Sequence, residues 1–139
     1  MTTYVDTSTL IKLIVAEAGT DAAFVLWGAA QSLVAMSLIE VEAAAALAAA
    51  HRQGRLTTEA LHLAEHSLDD LIEQLDIIDV DAELIERARN LALDHALRGY
   101  DAVHLAAATM VSADLFTSAD SVLCNAAANE GMLVANPLD

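Results

Sequence analysis

The sequence predicts an α/β fold in which helices cover both faces of a small, mostly parallel sheet, a three-layer α/β/α arrangement. Three observations support this class. Short runs rich in β-forming residues alternate with longer helical patterns, one helical run is apolar almost all round, and no linker or repeat divides the chain. The five predicted strands are Thr3–Asp6, Leu33–Met36, Leu75–Val80, Leu115–Thr117 and Met132–Val134.

Hydrophobic periodicity places the helices between these strands. From Thr57 to Gln74, apolar residues fall on one arc of a helical wheel, which is typical of a surface helix docked on a core. The stretch from Asp81 to Leu97 repeats this pattern, and Gly99 just beyond it predicts the end of that helix. A further helix is expected from about Tyr100, and its apolar run from Ala102 to Val111 predicts burial between neighbouring elements.

Composition limits both the architecture and the function. The 139 residues are 56% hydrophobic and 19% charged, so one folded domain spanning residues 1–139 is expected. Six Lys and Arg against 21 Asp and Glu give a net charge of −15, which excludes a broad electrostatic surface for nucleic acid. A single cysteine, Cys124, excludes a disulfide framework. Without a basic leader or a membrane-length apolar run, we expect a soluble cytoplasmic protein with no membrane contact.

Three aspartates fall where an open α/β sheet binds its ligands, in the loops that lead from strands into helices. Asp6 ends the first predicted strand, Asp101 opens the buried helix, and Asp120 follows the strand Leu115–Thr117. Each also fits a helix cap or first turn, where a carboxylate accepts hydrogen bonds from unpaired amides. Their expected convergence on one edge of the sheet favours a functional role over three independent caps.

A fourth carboxylate is expected from the segment Ser37–Glu42, which offers two glutamates. Ser37 and Glu40 have the spacing of a capping box, in which the two side chains reciprocally bond backbone amides at a helix start. Glu42 lies about 200° from Glu40 around the helix, at ~100° per residue, so the two cannot share one site. We therefore favour Glu42 for chemistry, with a solvated surface glutamate as the alternative.

Four converging carboxylates repel one another strongly unless a cation lies between them. No lysine or arginine is expected among these four. Hard oxygen ligands suit Mg²⁺ or Mn²⁺, with water completing the coordination. The sequence therefore predicts a divalent metal site at this edge of the sheet.

Three segments around these carboxylates share a further pattern: Tyr4–Leu13, Leu97–Ala108 and Phe116–Asp120. In this order they resemble the opening motif, the second hallmark and the final acidic loop of the PIN-domain ribonucleases of the VapC toxin type. The match extends along essentially the whole chain. The resemblance implies that residues 1–139 form a single PIN-like domain.

Carried over residue by residue, the resemblance assigns roles to individual side chains. It implies an acidic metal site made of Asp6, Asp101 and Asp120. It aligns the family's glutamate with Glu42, which completes the catalytic set. The residues that match positions lining the site or contacting substrate are Ser8, Lys12 and Ser118. His104 also matches the second motif, where we favour a buried histidine hydrogen-bonded in the core over a site residue.

The function implied by this resemblance is Mg²⁺- or Mn²⁺-dependent cleavage of RNA phosphodiesters by an activated water. The family consists of endoribonuclease toxins paired with a VapB-like antitoxin, often as homodimers, and an antitoxin arginine entering the acidic pocket would silence the enzyme. The alternative is a non-catalytic PIN-like module that regulates or binds. Because cations are few, we expect a narrow, structured RNA target, with phosphate contacts drawn from Lys12, Arg52, Arg55 and Arg98.

Overall fold

The computed structural model describes residues 1–139 and contains one sheet of five parallel strands. The strands lie in the order β3-β2-β1-β4-β5, so β1 is central. In the register, Tyr4 on β1 lies beside Val34 on β2 and Phe116 on β4. The strand bounds are β1 Thr2–Val5, β2 Ser32–Met36, β3 Asp76–Ile78, β4 Leu115–Thr117 and β5 Leu133–Ala135.

Seven helices connect the strands. The longest, Thr58–Glu73, begins as its pattern predicts: the Thr57 side chain caps it by accepting from the amide of Ala60, and Ala64 and Leu68 are buried on its apolar arc. The helix bounds are α1 Thr7–Lys12, α2 Thr20–Ala29, α3 Ile39–Arg52, α4 Thr58–Glu73, α5 Ala82–His95, α6 Gly99–Met110 and α7 Ser121–Asn129.

The helices form two layers, one on each face of the sheet. Side chains along each strand point alternately to one layer and the other. On one face, Tyr4 and Phe116 stack with ring centroids 5.4 Å apart and pack with residues of α5, α6 and α7. On the other face, Val5 and Ala35 pack with residues of α1, α3 and α4. Successive side chains on a strand point to opposite faces, so neighbours such as Tyr4 and Val5 enter different cores. The predicted three-layer α/β/α architecture is confirmed.

Helix α6 lies deepest in the first of these cores. All its side chains from Ala102 to Ala108 are buried, as the apolar run predicts. The expected role of Gly99 is wrong, however: α5 ends earlier, with Ala96 in the left-handed conformation at φ 54°, and Gly99 is the first residue of α6. A search for glycine stops does not find this helix end, because an alanine takes the left-handed position that glycine usually fills.

None of the seven helices combines the length and the apolar character that crossing a lipid bilayer requires.

Candidate active site

The sheet order creates a switch point beside β1. After β1 the chain builds β2 and β3 on one side of it, then crosses to build β4 and β5 on the other. In such sheets the loops at the carboxyl ends of the two strands diverge and leave a crevice where ligands bind. Asp6 directly follows β1, and Asp120 lies in the loop that follows β4. Both aspartates are therefore placed at this crevice by the topology alone.

Asp6 is buried and held by two serine hydroxyls. Its Oδ2 accepts from Ser8 Oγ at 2.6 Å and from Ser118 Oγ at 2.7 Å. The same hydroxyls accept hydrogen bonds from backbone amides of the loop after β4: Ala119 N–H donates to Ser8 Oγ, and Asp120 N–H donates to Ser118 Oγ. The structure thus places both predicted serines against the Asp6 carboxylate, and they fix one of its oxygens to the neighbouring loop.

Asp120 and Asp101 lie on the other side of the crevice and share one cation. Oδ1 of Asp120 caps α7 by accepting from the amides of Val122 and Leu123. Its Oδ2 lies 3.5 Å from the Arg98 guanidinium, whose Nε donates to Oδ2 of Asp101 at 3.0 Å. The expectation that no arginine lies among the carboxylates is therefore wrong. Arg98 immediately precedes α6, so the turn that starts this helix brings its side chain back over both aspartates.

The three aspartates form one electrostatic cluster. Burial is the largest influence on Asp101 and raises its pKa above the usual value. Hydrogen bonding and charge attraction by Arg98 oppose this shift, whereas the negative charges of Asp6 and Asp120 add to it. The upward contributions of Asp6 and Asp120 indicate that the three carboxylates repel one another, although burial is the main cause of the net shift.

Glu42 joins the same crevice from the first turn of α3. Its Oε1 accepts from Thr7 Oγ1 at 3.0 Å and lies 2.6 Å from Nε2 of His104. Burial by itself raises the pKa of Glu42, but the hydrogen bonds from His104 and Thr7 and the attraction of the imidazole outweigh it and lower the pKa. Glu42 therefore carries its negative charge at neutral pH. Glu40 is exposed on the opposite side of α3.

The capping box expected for this helix is absent. Helix α3 begins at Ile39 with Leu38 at its cap, and no side chain caps it. Ser37 lies one residue too early for that role, because β2 and a short turn extend through Leu38. The expectation that Glu42 rather than Glu40 takes part in the chemistry rested partly on this capping box. Its other basis, the angular separation of the two glutamates around the helix, is as expected.

His104 is fully buried in the core, as expected, but it also contacts the crevice. Its Nδ1 lies 2.9 Å from the Tyr4 hydroxyl, and its Nε2 lies 3.4 Å from Oδ1 of Asp6 in addition to the contact with Glu42. Burial acts against protonation of the ring, but the hydrogen bond with Glu42 and the nearby carboxylates outweigh it and raise the pKa of His104.

Lys12 is the predicted site residue with the least support. It is buried, and its Nζ forms an ion pair with Glu17 at 3.0 Å instead of contacting any of the four carboxylates. Its backbone carbonyl accepts from Thr20 Oγ1. These contacts join the end of α1 to the start of α2, away from the crevice.

In each of the four carboxylates, the protein holds one oxygen by a hydrogen bond of 3.0 Å or less. The second oxygen has no protein partner in Glu42 and Asp101, and only a longer contact in Asp6, to His104 at 3.4 Å, and in Asp120, to Arg98 at 3.5 Å. The held oxygens are Oδ2 of Asp6, Oε1 of Glu42, Oδ2 of Asp101 and Oδ1 of Asp120. With Arg98 across two of the aspartates, no three acidic or histidine side chains surround a single point as a metal would require. The donor chemistry nevertheless fits a hard divalent cation, and the guanidinium of Arg98 occupies the position of a positive charge between Asp101 and Asp120.

Three contributors to the crevice, Arg98, His104 and Thr7, were not identified as such from the sequence. Arg98 precedes Asp101 by three residues and His104 follows it by three, so both share its side of the chain near the start of α6. This spacing is the signal that was available. The contact of Thr7 with Glu42 joins residues 35 apart and had no local signal.

Comparison with known proteins identifies relatives along most of the chain. The family model of the PIN domain matches residues 3–129. Ribonuclease VapC45 and ribonuclease VapC49, from two strains of Mycobacterium tuberculosis, are each 39% identical to this chain over 108 residues. Those residues cover 78% of this chain and 75% of each relative.

Solved structures share the fold at lower identity. PAE2754 from Pyrobaculum aerophilum has a TM-score of 0.73 and 20% identity, covering 96% of this chain and 83% of its own. VapC20 from Mycobacterium tuberculosis, reported as a toxin that cleaves the sarcin-ricin loop, has a TM-score of 0.72 and 19% identity, covering 97% and 99%. A toxin–antitoxin complex from Klebsiella pneumoniae contains a similar chain, with a TM-score of 0.67, 18% identity and 97% of both chains covered.

Proposed function

Because this chain belongs to the PIN-domain family, we propose that it is a divalent-metal-dependent endoribonuclease and the toxin of a toxin–antitoxin pair. The ribonuclease names of its relatives support the activity. The observation that carries the proposal is the gathering of four carboxylates at the switch point, each with one oxygen held by a short hydrogen bond and the other with no partner or only a longer contact.

In the proposed reaction, Asp6, Asp101 and Asp120 hold Mg²⁺ or Mn²⁺. The bound ion would supply activation of water and stabilisation of negative charge on the scissile phosphate. Ser8 and Ser118 keep the Asp6 carboxylate aimed at the crevice, since both donate to its Oδ2.

Glu42 positions the attacking water and takes up its proton through Oε2, because Oε1 is already occupied by Thr7 and His104. The water oxygen forms the new bond to phosphorus while the bond from phosphorus to the leaving ribose oxygen breaks. That oxygen keeps the bonding electrons and takes a proton from solvent. Glu42 and Asp101 line the same cavity of about 300 Å³, together with Arg98, Gly99 and Tyr100. That cavity is the proposed position of the scissile phosphate.

Cleavage in the presence and absence of metal tests the proposed function. We expect the purified protein to cut a structured RNA at few positions with Mg²⁺ or Mn²⁺, and to cut nothing when a chelator removes the ion. Gel analysis of end-labelled RNAs of unrelated sequence measures both points. Degradation of every RNA tested would contradict the narrow target, and absence of cleavage with either ion would favour the non-catalytic alternative.

The proposed site also accounts for the proposed partners. A toxin–antitoxin complex contains a similar fold, and Arg98 demonstrates that a guanidinium fits between Asp101 and Asp120. An arginine of a VapB-like antitoxin would bind these carboxylates in the same way.

Exposed apolar helix residues such as Val25 and Leu93 support a homodimer. We propose that both complexes form in the cytoplasm.

Arg98 is expected to compete with the metal. Its side chain is 82% exposed, so its ion pairs with Asp101 and Asp120 are weak enough to break. Arg98→Gln should therefore bind Mn²⁺ more tightly than the natural protein, by roughly threefold to tenfold. Isothermal titration of the metal-free proteins measures this. Arg52→Gln is the matched control, because Arg52 is also exposed but forms no ion pair. Unchanged or weaker Mn²⁺ binding by Arg98→Gln would contradict the competition.

A further inference from the structure

A chain of hydrogen bonds runs from the centre of the sheet to Glu42. The amide of Met36 donates to the Tyr4 hydroxyl at 3.2 Å. That hydroxyl lies 2.9 Å from His104 Nδ1, and His104 Nε2 lies 2.6 Å from Glu42 Oε1. Tyr4 and His104 are both fully buried, with their rings edge to face at 5.8 Å. The chain therefore starts in the dry interior and ends at the carboxylate proposed to position water.

The groups at the two ends of this series of hydrogen bonds determine where the protons of Tyr4 and His104 lie. A backbone N–H can only donate, so the Tyr4 oxygen accepts from Met36 and the Tyr4 proton is directed to His104 Nδ1. An ionised carboxylate can only accept, so His104 Nε2 donates to Glu42. In its neutral form the imidazole thus has a single tautomer that satisfies both neighbours, with the proton on Nε2. The other tautomer would leave a buried hydroxyl proton without an acceptor.

We propose that His104 is a positioning residue that holds Glu42 in its working orientation, an inference that rests on the proposed function of Glu42. His104 lies on α6 and Glu42 on α3, so their hydrogen bond joins the two helical layers at the edge of the sheet. Because the buried ring is fixed by Tyr4, the bond fixes Oε1. Glu42 also lines the cavity shared with Arg98 and Asp101, and its Oε2 has no hydrogen-bond partner in the protein.

The alternative is that His104 only stabilises the core. A buried imidazole needs partners for both nitrogens, and a structural role would be satisfied by any acceptor. Here the nearest acceptor is half-buried Glu42 at the crevice, at 2.6 Å, whereas Oδ1 of Asp6 lies farther away at 3.4 Å. Thr7 donates to the same Glu42 oxygen. The structural role and the positioning role make different predictions about the Glu42 side chain itself and about kcat.

Nuclear magnetic resonance of the metal-free protein tests the positioning role without any activity. At alkaline pH, where the ring is neutral, the ring ¹⁵N and ¹³C shifts of His104 should report the Nε2–H tautomer. Relaxation of the Glu42 side-chain carbons should show an ordered group in the natural protein and a mobile one in His104→Leu. His104→Gln should restore part of that order, because a glutamine amide also offers one donor and one acceptor. An Nδ1–H tautomer, or Glu42 equally ordered in His104→Leu, would overturn the proposal.

Kinetic measurements provide the second test of the positioning role of His104. We expect His104→Leu to lower kcat for RNA cleavage by on the order of 10- to 100-fold, the usual range for residues that orient a catalytic ligand, with KM changed by no more than about twofold. His104→Gln should recover several-fold of this loss. The matched control is Thr9→Val, which removes a buried hydrogen bond to Thr117 without touching Glu42. It should lower the melting temperature but not kcat.

The outcomes separate this inference from the proposed function. If the natural protein cleaves no RNA with either ion, the proposed function fails, and the tautomer and the order of Glu42 still decide whether His104 positions it. If the natural protein cleaves RNA and folded His104→Leu keeps its kcat, the positioning role is overturned while the proposed function stands.

Discussion

Asp6→Asn is expected to lower the rate of RNA cleavage by about a thousandfold, equivalent to roughly 4 kcal/mol of lost charge stabilisation. The substitution keeps the shape of the side chain, and an amide oxygen can still accept from Ser8 and Ser118 at the Oδ2 position. What it removes is the negative charge at the centre of the proposed metal site. Single-turnover cleavage with saturating Mn²⁺ measures the effect, since slow product release does not mask it.

The thermal stability of Asp6→Asn should not decrease along with its rate of RNA cleavage. In the metal-free protein the charge of Asp6 raises the pKa of Asp101, which is a sign of repulsion between them. Removing that charge should leave the melting temperature unchanged or higher, while the rise that Mn²⁺ causes in the natural protein should disappear.

The control for Asp6→Asn is Asp69→Asn, which removes an equal charge from the exposed face of α4. It should retain both cleavage and stabilisation by Mn²⁺. Cleavage by Asp6→Asn within tenfold of the natural rate would remove Asp6 from the metal site and, with it, the main support for the proposed mechanism.

The parts of the site that the sequence predicted are those with local causes. An aspartate directly after a strand, such as Asp6, is carried to the carboxyl edge of the sheet whatever the rest of the chain does. The buried helix that bears Asp101 was predicted by its uniform apolar run. The two strands that meet at the crevice, β1 and β4, were located within about one residue of their observed bounds, because their residues alternate between two cores.

The parts that the sequence did not predict depend on contacts between distant residues. Tyr4 and His104 are 100 residues apart, and Thr7 and Glu42 are 35 apart. No periodicity connects such pairs. From the sequence, Arg98 was expected to contact phosphate. Its ion pair with Asp120 could not be predicted, because it depends on how the chain turns between α5 and α6. Lys12 was expected to line the site or contact phosphate, but its buried ammonium pairs with Glu17, beyond the end of α1.

Glu42→Gln and Glu40→Gln form a matched pair that decides which glutamate does chemistry. The two residues lie on the first turn of the same helix, differ in direction by about 200° at 100° per residue, and lose the same charge when amidated. The amide of Glu42→Gln keeps an oxygen that accepts from His104, so the orientation survives while the proton acceptor is lost. We expect kcat to fall by about 100-fold in Glu42→Gln, the lower end for loss of a general base, and to stay within about twofold in Glu40→Gln.

The KM values of this pair carry separate information. Glu42 has no cationic partner other than the His104 ring, and its charge opposes the approach of a phosphate. Removing that charge should lower KM slightly even as kcat falls, a combination that loss of folding does not produce. The reverse outcome, with cleavage lost in Glu40→Gln and kept in Glu42→Gln, would place the reacting phosphate on the exposed face of α3. A site there would be out of reach of Asp6 and the serines that hold it, so the crevice could not be the place where RNA is cut.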